Sequence, residues 1–295
     1  MESGQQTRGA SAGNIDELRA GLHTMWGAVA LGWEQNADFV DKRTQGLTKS
    51  MLDAVALKPG DRVLELACGP GGLGLAAAER VGAEGEVVLS DVAPPMTAIA
   101  ATRAKSRGLG NVTTLELDLE RIDQPDDAYD AVLCREGLML VPDHQEAAGE
   151  IRRVLRPGGR AAVSVWGPRE RNPWLGAMLD AVGAQLGGTF PPPGMPGPFA
   201  LDGRDKLLAV LSGAGFGEVD VSEVDAPWRG ASFEVWWLVT TALAGPLAKV
   251  LEVQPPEAIE AIRAHARESL AQYETADGLE IPGVSLMGSA LRTAA

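Results

Sequence analysis

A glycine-rich turn, Glu65, Leu66, Ala67, Cys68, Gly69, Pro70, Gly71, Gly72, Leu73, Gly74, leaves directly from the apolar run Val63 to Leu66. Glycines let the backbone take conformations closed to other residues and approach a ligand closely. The next run, Leu73 to Val81, has the pattern of a helix whose N-terminus faces the same spot. A nucleotide cradle is the expected use of such a turn. Two acids follow at the ends of predicted strands. Asp91 ends Glu86 to Ser90, 20 residues past Gly71, and Asp118 ends Val112 to Leu117, another 27 residues on. In a parallel sheet with helical crossovers, strands recur about every 30 residues, so the turn and both acids should share one carboxyl edge.

The glycine spacing alone leaves two cofactor classes open. Gly69, Gly71 and Gly74 also satisfy a dinucleotide fingerprint, with Asp91 near the distance of its ribose-binding acid, which keeps an NAD(P)-dependent oxidoreductase as an alternative. Glu65 inside the first strand, Asp118, and the segment Leu155, Arg156, Pro157, Gly158, Gly159 favour the other class. An acid in that strand supplies negative potential to a cofactor carrying a sulfonium and an α-amino group. On these residues the sequence resembles the class I S-adenosylmethionine-dependent methyltransferases. It is nearest the branch of ubiquinone/menaquinone C-methyltransferases and small-molecule tailoring enzymes of secondary metabolism.

The resemblance covers Pro59 to Gly167 and departs at Ala67, where the family usually has glycine. It implies a cofactor site made of Glu65, Ala67, Gly69, Gly71, Asp91, Val92, Met96, Asp118, Leu119 and Arg135. Gly69 and Gly71 would meet the methionine part, Asp91 the ribose hydroxyls, and Val92 and Met96 the adenine faces. Asp118 would accept from the adenine amino group, the Leu119 backbone would bond a ring nitrogen, and the Cys134 to Arg135 backbone would hold the amine. Each has a structural reading as well: Asp91 as a helix cap before Pro94 and Pro95, Asp118 as a turn residue, Met96 as core.

The chain has 295 residues, of which 45% are apolar, enough to bury a sizeable core. Its net charge of −14 opposes binding to a phosphate backbone, so nucleic acid is not an expected partner. Residues 1 to 13 are polar, without the apolar core of a signal peptide, and the apolar stretch Val235 to Leu251 is interrupted by Gly245 and Pro246. A cytoplasmic protein without a membrane span is expected, and a homodimer is compatible with that reading. Two cysteines without ligand spacing and three scattered histidines give no metal site.

The chain divides into a tail at 1–13 expected to be disordered, an N-terminal helical cap at 14–56, and a methyltransferase domain at 57–295. Predicted strands at Arg62 to Leu66, Glu86 to Ser90, Val112 to Leu117, Tyr129 to Cys134 and Arg160 to Trp166 alternate with helices. This is the pattern of a doubly wound α/β fold. Val219 to Val224 and Val284 to Ala290 complete a seven-stranded, mostly parallel sheet. Asp143 with Glu146 three residues later marks a helix start. The segment 187–200, with five prolines and four glycines, reads as a lid or linker, and 230–278 as a helical insertion before the last strand.

Methyl transfer from a sulfonium needs positioning and exclusion of water more than proton transfer. If the acceptor is a phenol, hydroxyl or enolic carbon, a base helps, and His23 and Glu136 are the candidates. Seven tryptophans against two tyrosines suggest a flat apolar acceptor. Trp26, Trp33 and Trp166 are the candidate contacts, whereas Trp236 and Trp237, adjacent in one helix, read as packing. The expected acceptor is a small aromatic or polyketide-like metabolite, methylated on oxygen or carbon. A cofactor-binding partner subunit without catalysis remains the second alternative.

Overall fold

The structure, a computed structural model, describes residues 12–192 and 194–294. Its strands are β1 (Arg62–Leu66), β2 (Glu86–Asp91), β3 (Val112–Glu116), β4 (Tyr129–Arg135), β5 (Leu155–Trp166), β6 (Gly217–Asp225), β7 (Trp228–Gly230), β8 (Glu274–Thr275), β9 (Gly278–Ile281) and β10 (Val284–Leu291). Seven of them form one sheet in the order β3-β2-β1-β4-β5-β10-β6. The first five pair in parallel, while β10 runs antiparallel to both β5 and β6. Sequence position explains this order. Strands that are apolar on both faces, such as Val63 to Leu66, belong in the centre of a parallel sheet covered by helices on each side. The half-polar β3 and β6 form its edges.

Side chains alternate across the sheet, which divides the core in two. Leu64, Leu66, Val132 and Cys134 point to one face, Val63, Ala131 and Leu133 to the other. The first face packs α7 (His144–Val154), α8 (Pro173–Leu186) and α9 (Arg204–Gly213). The second packs α4 (Gln45–Val55), α5 (Gly72–Val81) and part of α6 (Pro94–Ser106). Asp143 caps α7 as its sequence predicts, accepting from the N–H groups of Gln145 and Glu146.

The N-terminal cap consists of α1 (Ala12–Ala28), α2 (Ala30–Gln35), α3 (Ala37–Arg43) and α4. Of the tail expected at 1–13, residues 1–11 lie outside the described residues, and Ala12 and Gly13 open α1. The insertion departs from the all-helical expectation. It holds α10 (Phe233–Leu243), α11 (Gly245–Glu252) and α12 (Pro256–Leu270), and a small sheet of order β7-β9-β8 closes it. α10 and α11 are separated at Ala244, whose φ of −89° and ψ of 86° are not helical. Within 187–200, the Gly197 N–H donates to Met139 O at 3.1 Å and the Phe199 ring meets Trp166 edge-on at 5.8 Å. No helix among the described residues is long and apolar enough to cross a membrane.

Trp236 ties the insertion to the core. It is fully buried, and its indole N–H donates to Trp174 O at 2.9 Å. Trp236→Ala should lower unfolding free energy by about 3 to 5 kcal/mol, the usual cost of emptying a buried aromatic site, measured by urea titration against wild type. A loss below about 1 kcal/mol would mean the insertion folds apart from the sheet.

Candidate active site

The strand order reverses between β1 and β4, so their carboxyl ends diverge and leave a crevice. Both ends turn sharply there. Ala67, Gly69 and Gly71 have φ of +50°, +51° and +82°, and Glu136, after β4, has +56°. Left-handed backbone is unfavourable for alanine and glutamate. The two turns also press together, since a methyl group on Gly137 would lie 2.6 Å from the Ala67 Cβ and 2.9 Å from Cys134 Sγ. Only glycine fits at 137.

Asp91, at the end of β2, holds the glycine turn. One of its oxygens accepts from the Gly69 N–H at 2.9 Å, and the other from Ala93 N–H at 3.0 Å. Burial pushes its pKa up, against the pull of these N–H groups. A carboxylate has about four lone-pair positions, so Asp91 keeps capacity toward the cavity it lines.

One cavity gathers most of the predicted site: Ala67, Gly69, Asp91, Val92, Met96, Asp118, Leu119 and Arg135, together with His23, Trp26, Trp33 and Glu136. Met96 packs with Trp26 and Trp33. Arg135 lines the cavity, and its side chain donates to Thr44 Oγ1 at 2.8 Å and Thr48 Oγ1 at 3.0 Å.

Three predicted residues are not in the cavity wall. Glu65, only 1% exposed, runs beneath the turn and accepts from the Gly74 N–H at 2.8 Å, so it braces α5 instead of meeting ligand directly. Gly71 lies against Leu89 and Ala100, where a methyl group would come within 3.0 and 3.1 Å of them, and its φ of +82° disfavours any side chain. The Trp166 ring is tilted 39° against Trp174 with centroids 4.5 Å apart, and the Arg43 guanidinium lies over both rings, 5.5 and 4.4 Å from their centroids. Trp166 shields the Arg43 cation and is not among the residues lining the cavity. Trp228 and Trp236 are buried as well, so the tryptophan argument for a flat acceptor now rests on Trp26 and Trp33 alone.

The α5 N-terminus also decides between cofactor classes. A dinucleotide would place its pyrophosphate on these N–H groups. Here Glu65 takes the Gly74 N–H, and Asp41 of α3 lies so close that a methyl group on Gly72 would be 1.7 Å from its Oδ1. Asp41 accepts from Arg103 Nη2 at 2.6 Å, and Arg103 Nη1 donates to Pro70 O at 2.7 Å. Two carboxyl groups fill the place a pyrophosphate would need.

Sequence reasoning missed Arg19, Glu120, Asp41 and Arg103. A signal existed only for the first, since Arg19 and His23 are four residues apart and share a helix face. Arg19 Nε donates to Glu120 Oε2 at 3.0 Å and lies 3.5 Å from Asp118 Oδ2, and His23 Nε2 is 3.7 Å from the same oxygen. His23 therefore faces Asp118 rather than an acceptor, and burial lowers its pKa. Glu136 remains as the base candidate. Its Oε1 accepts from Ser285 Oγ at 2.9 Å, and its Oε2 is 3.8 Å from the buried Arg43. The thiols are inert, because burial raises both and pushes Cys134 up to about 12.

Residues 63–159 match the methyltransferase domain family. The chain is 31% identical over 244 residues to nocamycin O-methyltransferase of Saccharothrix syringae, covering 77% of this chain and 84% of that one. It is also 31% identical over 166 residues to a ubiquinone/menaquinone biosynthesis C-methyltransferase of Ectopseudomonas mendocina, covering 56% of each. The chain spans about half the length of the quinone-biosynthesis relatives it matches. In fold it is similar to the YcgJ protein of Bacillus subtilis, with a TM-score of 0.57 at 18% identity over 84% of this chain and 98% of that one. The sheet order, the glycine turn and these matches define a Rossmann-like methyltransferase. The chain belongs to the class I S-adenosylmethionine-dependent methyltransferases, and its cofactor is S-adenosylmethionine.

Burial pushes the Glu65 carboxyl up to about 8, opposed by Arg135 and the Gly74 N–H. Between the ordinary value near 4.5 and about 8, the folded chain holds a proton that the unfolded chain releases. Its stability therefore falls as pH rises through that window, by up to about 1.4 kcal/mol per pH unit from this one group. Glu65→Gln keeps an acceptor for Gly74 and should flatten the decline, read as the difference between urea midpoints of the two proteins from pH 5 to 8. Parallel curves would mean that Glu65 is ionised throughout.

Proposed function

We propose that this protein transfers a methyl group from S-adenosylmethionine to oxygen or carbon of a small quinone-like or polyketide-like acceptor, with Glu136 at the acceptor end of the cavity. The observation that carries this reading is a single cavity lined by both the Asp91-braced turn and Glu136, held in left-handed backbone on the adjoining strand end. Strained backbone of this kind costs about 1 to 3 kcal/mol and clusters at functional sites. The names of the relatives support the acceptor class: one is a nocamycin O-methyltransferase, another a ubiquinone/menaquinone biosynthesis C-methyltransferase.

The residues fit the cofactor. Asp91 would take the ribose hydroxyls, Val92 and Met96 the adenine faces, and Asp118 the adenine amino group. The Ala67 to Gly69 turn and the backbone at Arg135 would take the methionine part. When bound, the cofactor supplies an activated methyl on a sulfonium, so the chain has no leaving group to protonate. Its residues have two tasks. Trp26 and Trp33 cover the turn and limit water at the cavity. Glu136 accepts the proton of a hydroxyl or enol, and Ser285 with Arg43 fixes the carboxylate for that step. The apolar wall Leu140, Val141 and Pro142 lies beyond Glu136 and suits an apolar acceptor.

Two substitutions separate these roles. Asp91→Ala should weaken S-adenosylhomocysteine binding about tenfold to 150-fold by calorimetry, the worth of hydrogen bonds to a charged group. Glu136→Gln should change that affinity less than about threefold yet lower the rate of labelled methyl transfer to naphthoquinols and enolic polyketides by about 10² to 10⁴. An unchanged rate would remove Glu136 as base, and an unchanged affinity would remove Asp91 from the cofactor site.

A further inference from the structure

Asp118 follows the edge strand β3, in a turn bridged to Arg121. Within that turn the Glu120 N–H donates to its Oδ1 at 2.8 Å. The second oxygen is met from another part of the chain. Arg19 of α1 reaches it at 3.5 Å and His23, one helical turn on, at 3.7 Å. Arg19 is itself fixed: its Nε donates at 3.0 Å to Glu120, a side chain only 1% exposed whose other oxygen accepts from the Asp143 N–H at 2.8 Å. Arg19, His23, Asp118 and Glu120 all line the cofactor cavity.

We infer that the N-terminal helix completes the cofactor site, with Arg19 a positioning residue that holds Asp118 for a 6-amino purine and His23 as its weaker second. The inference rests on the proposed reading of Asp118 as acceptor for the adenine amino group. A carboxylate discriminates an amino from an oxo group only if its oxygen stays on the line of the donor, because a 6-oxo purine presents an acceptor to an acceptor. Held by Arg19, Asp118 has one oxygen bonded by the Glu120 N–H and the other beside the guanidinium, and each keeps lone-pair capacity toward the cavity it lines. Released, it rotates toward water and loses that selectivity. Adenine recognition is then a property of the cap as well as of the sheet edge.

The test compares S-adenosylhomocysteine with S-inosylhomocysteine, which carries a 6-oxo group, by calorimetry on the full chain. Wild type should prefer the adenosyl ligand about a hundredfold. Arg19→Gln should weaken the adenosyl ligand about tenfold and the inosyl ligand less than about threefold, so that the preference falls. His23→Gln should move it the same way by a smaller factor. Equal weakening of both ligands by Arg19→Gln would mean that Arg19 merely anchors α1, and it would overturn the inference while leaving Asp118 in its role. A wild type that does not distinguish the ligands would overturn the reading of Asp118 itself, and the inference with it. Arg19→Gln leaves Glu120 buried without that cation, so a variant that fails to fold is replaced by Arg19→Gln with Glu120→Gln, read by the same ratio.

Discussion

The two bonds accepted by Asp91 are the constraint on which the site depends. Through Gly69 they fix the end of β1, and through Ala93 they fix the start of α6, so one carboxylate joins two neighbouring strand ends. Its burial makes ionisation costly, and the two N–H groups offset part of that cost. The glycine turn carries three left-handed residues, and Asp91 anchors it beside the bond from Arg103 to Pro70 O. With Asp91 in place, Met96 and the tryptophans have a fixed surface to cover.

That cover is assembled from both ends of the chain. The Trp33 indole N–H donates to Leu243 O at 3.0 Å, joining α2 to the end of α10. The helices approach so closely that a methyl group on Gly32 would lie 2.3 Å from the Ala242 carbonyl oxygen. Glycine at 32 is required there by contact, not by φ. The break at Ala244 follows from the same packing, since a continuous helix would carry the chain past the place where Gly245 meets Met25, Val29 and Trp26. The insertion therefore serves as the clamp for the cap.

The proposed base Glu136 is paired with a buried cation. Arg43 is held over Trp174 and Trp166, and burial lowers its pKa while Glu136 opposes that shift. An isolated buried guanidinium is costly, so Arg43 holds Glu136 as its counter-charge as much as Glu136 holds Arg43. Ser285 of β10 bonds the same carboxylate, which makes the antiparallel last strand part of the site.

By itself the sequence determined the sheet, the glycine turn, and the acids Asp91 and Asp118, because strand periodicity, crossover length and turn chemistry are short-range properties that neighbouring residues carry together. The cap of α7 at Asp143 was legible for the same reason. Only the tertiary structure decided that Glu65 braces Gly74, that Trp166 shields Arg43, and that three short strands close the insertion. The bond from Arg19 to Glu120 spans 101 residues of chain, and nothing local to either residue encodes it. Which carboxylate meets which cation is settled by how helices pack over the sheet, and a pattern of one helix or strand read alone contains no information about that packing.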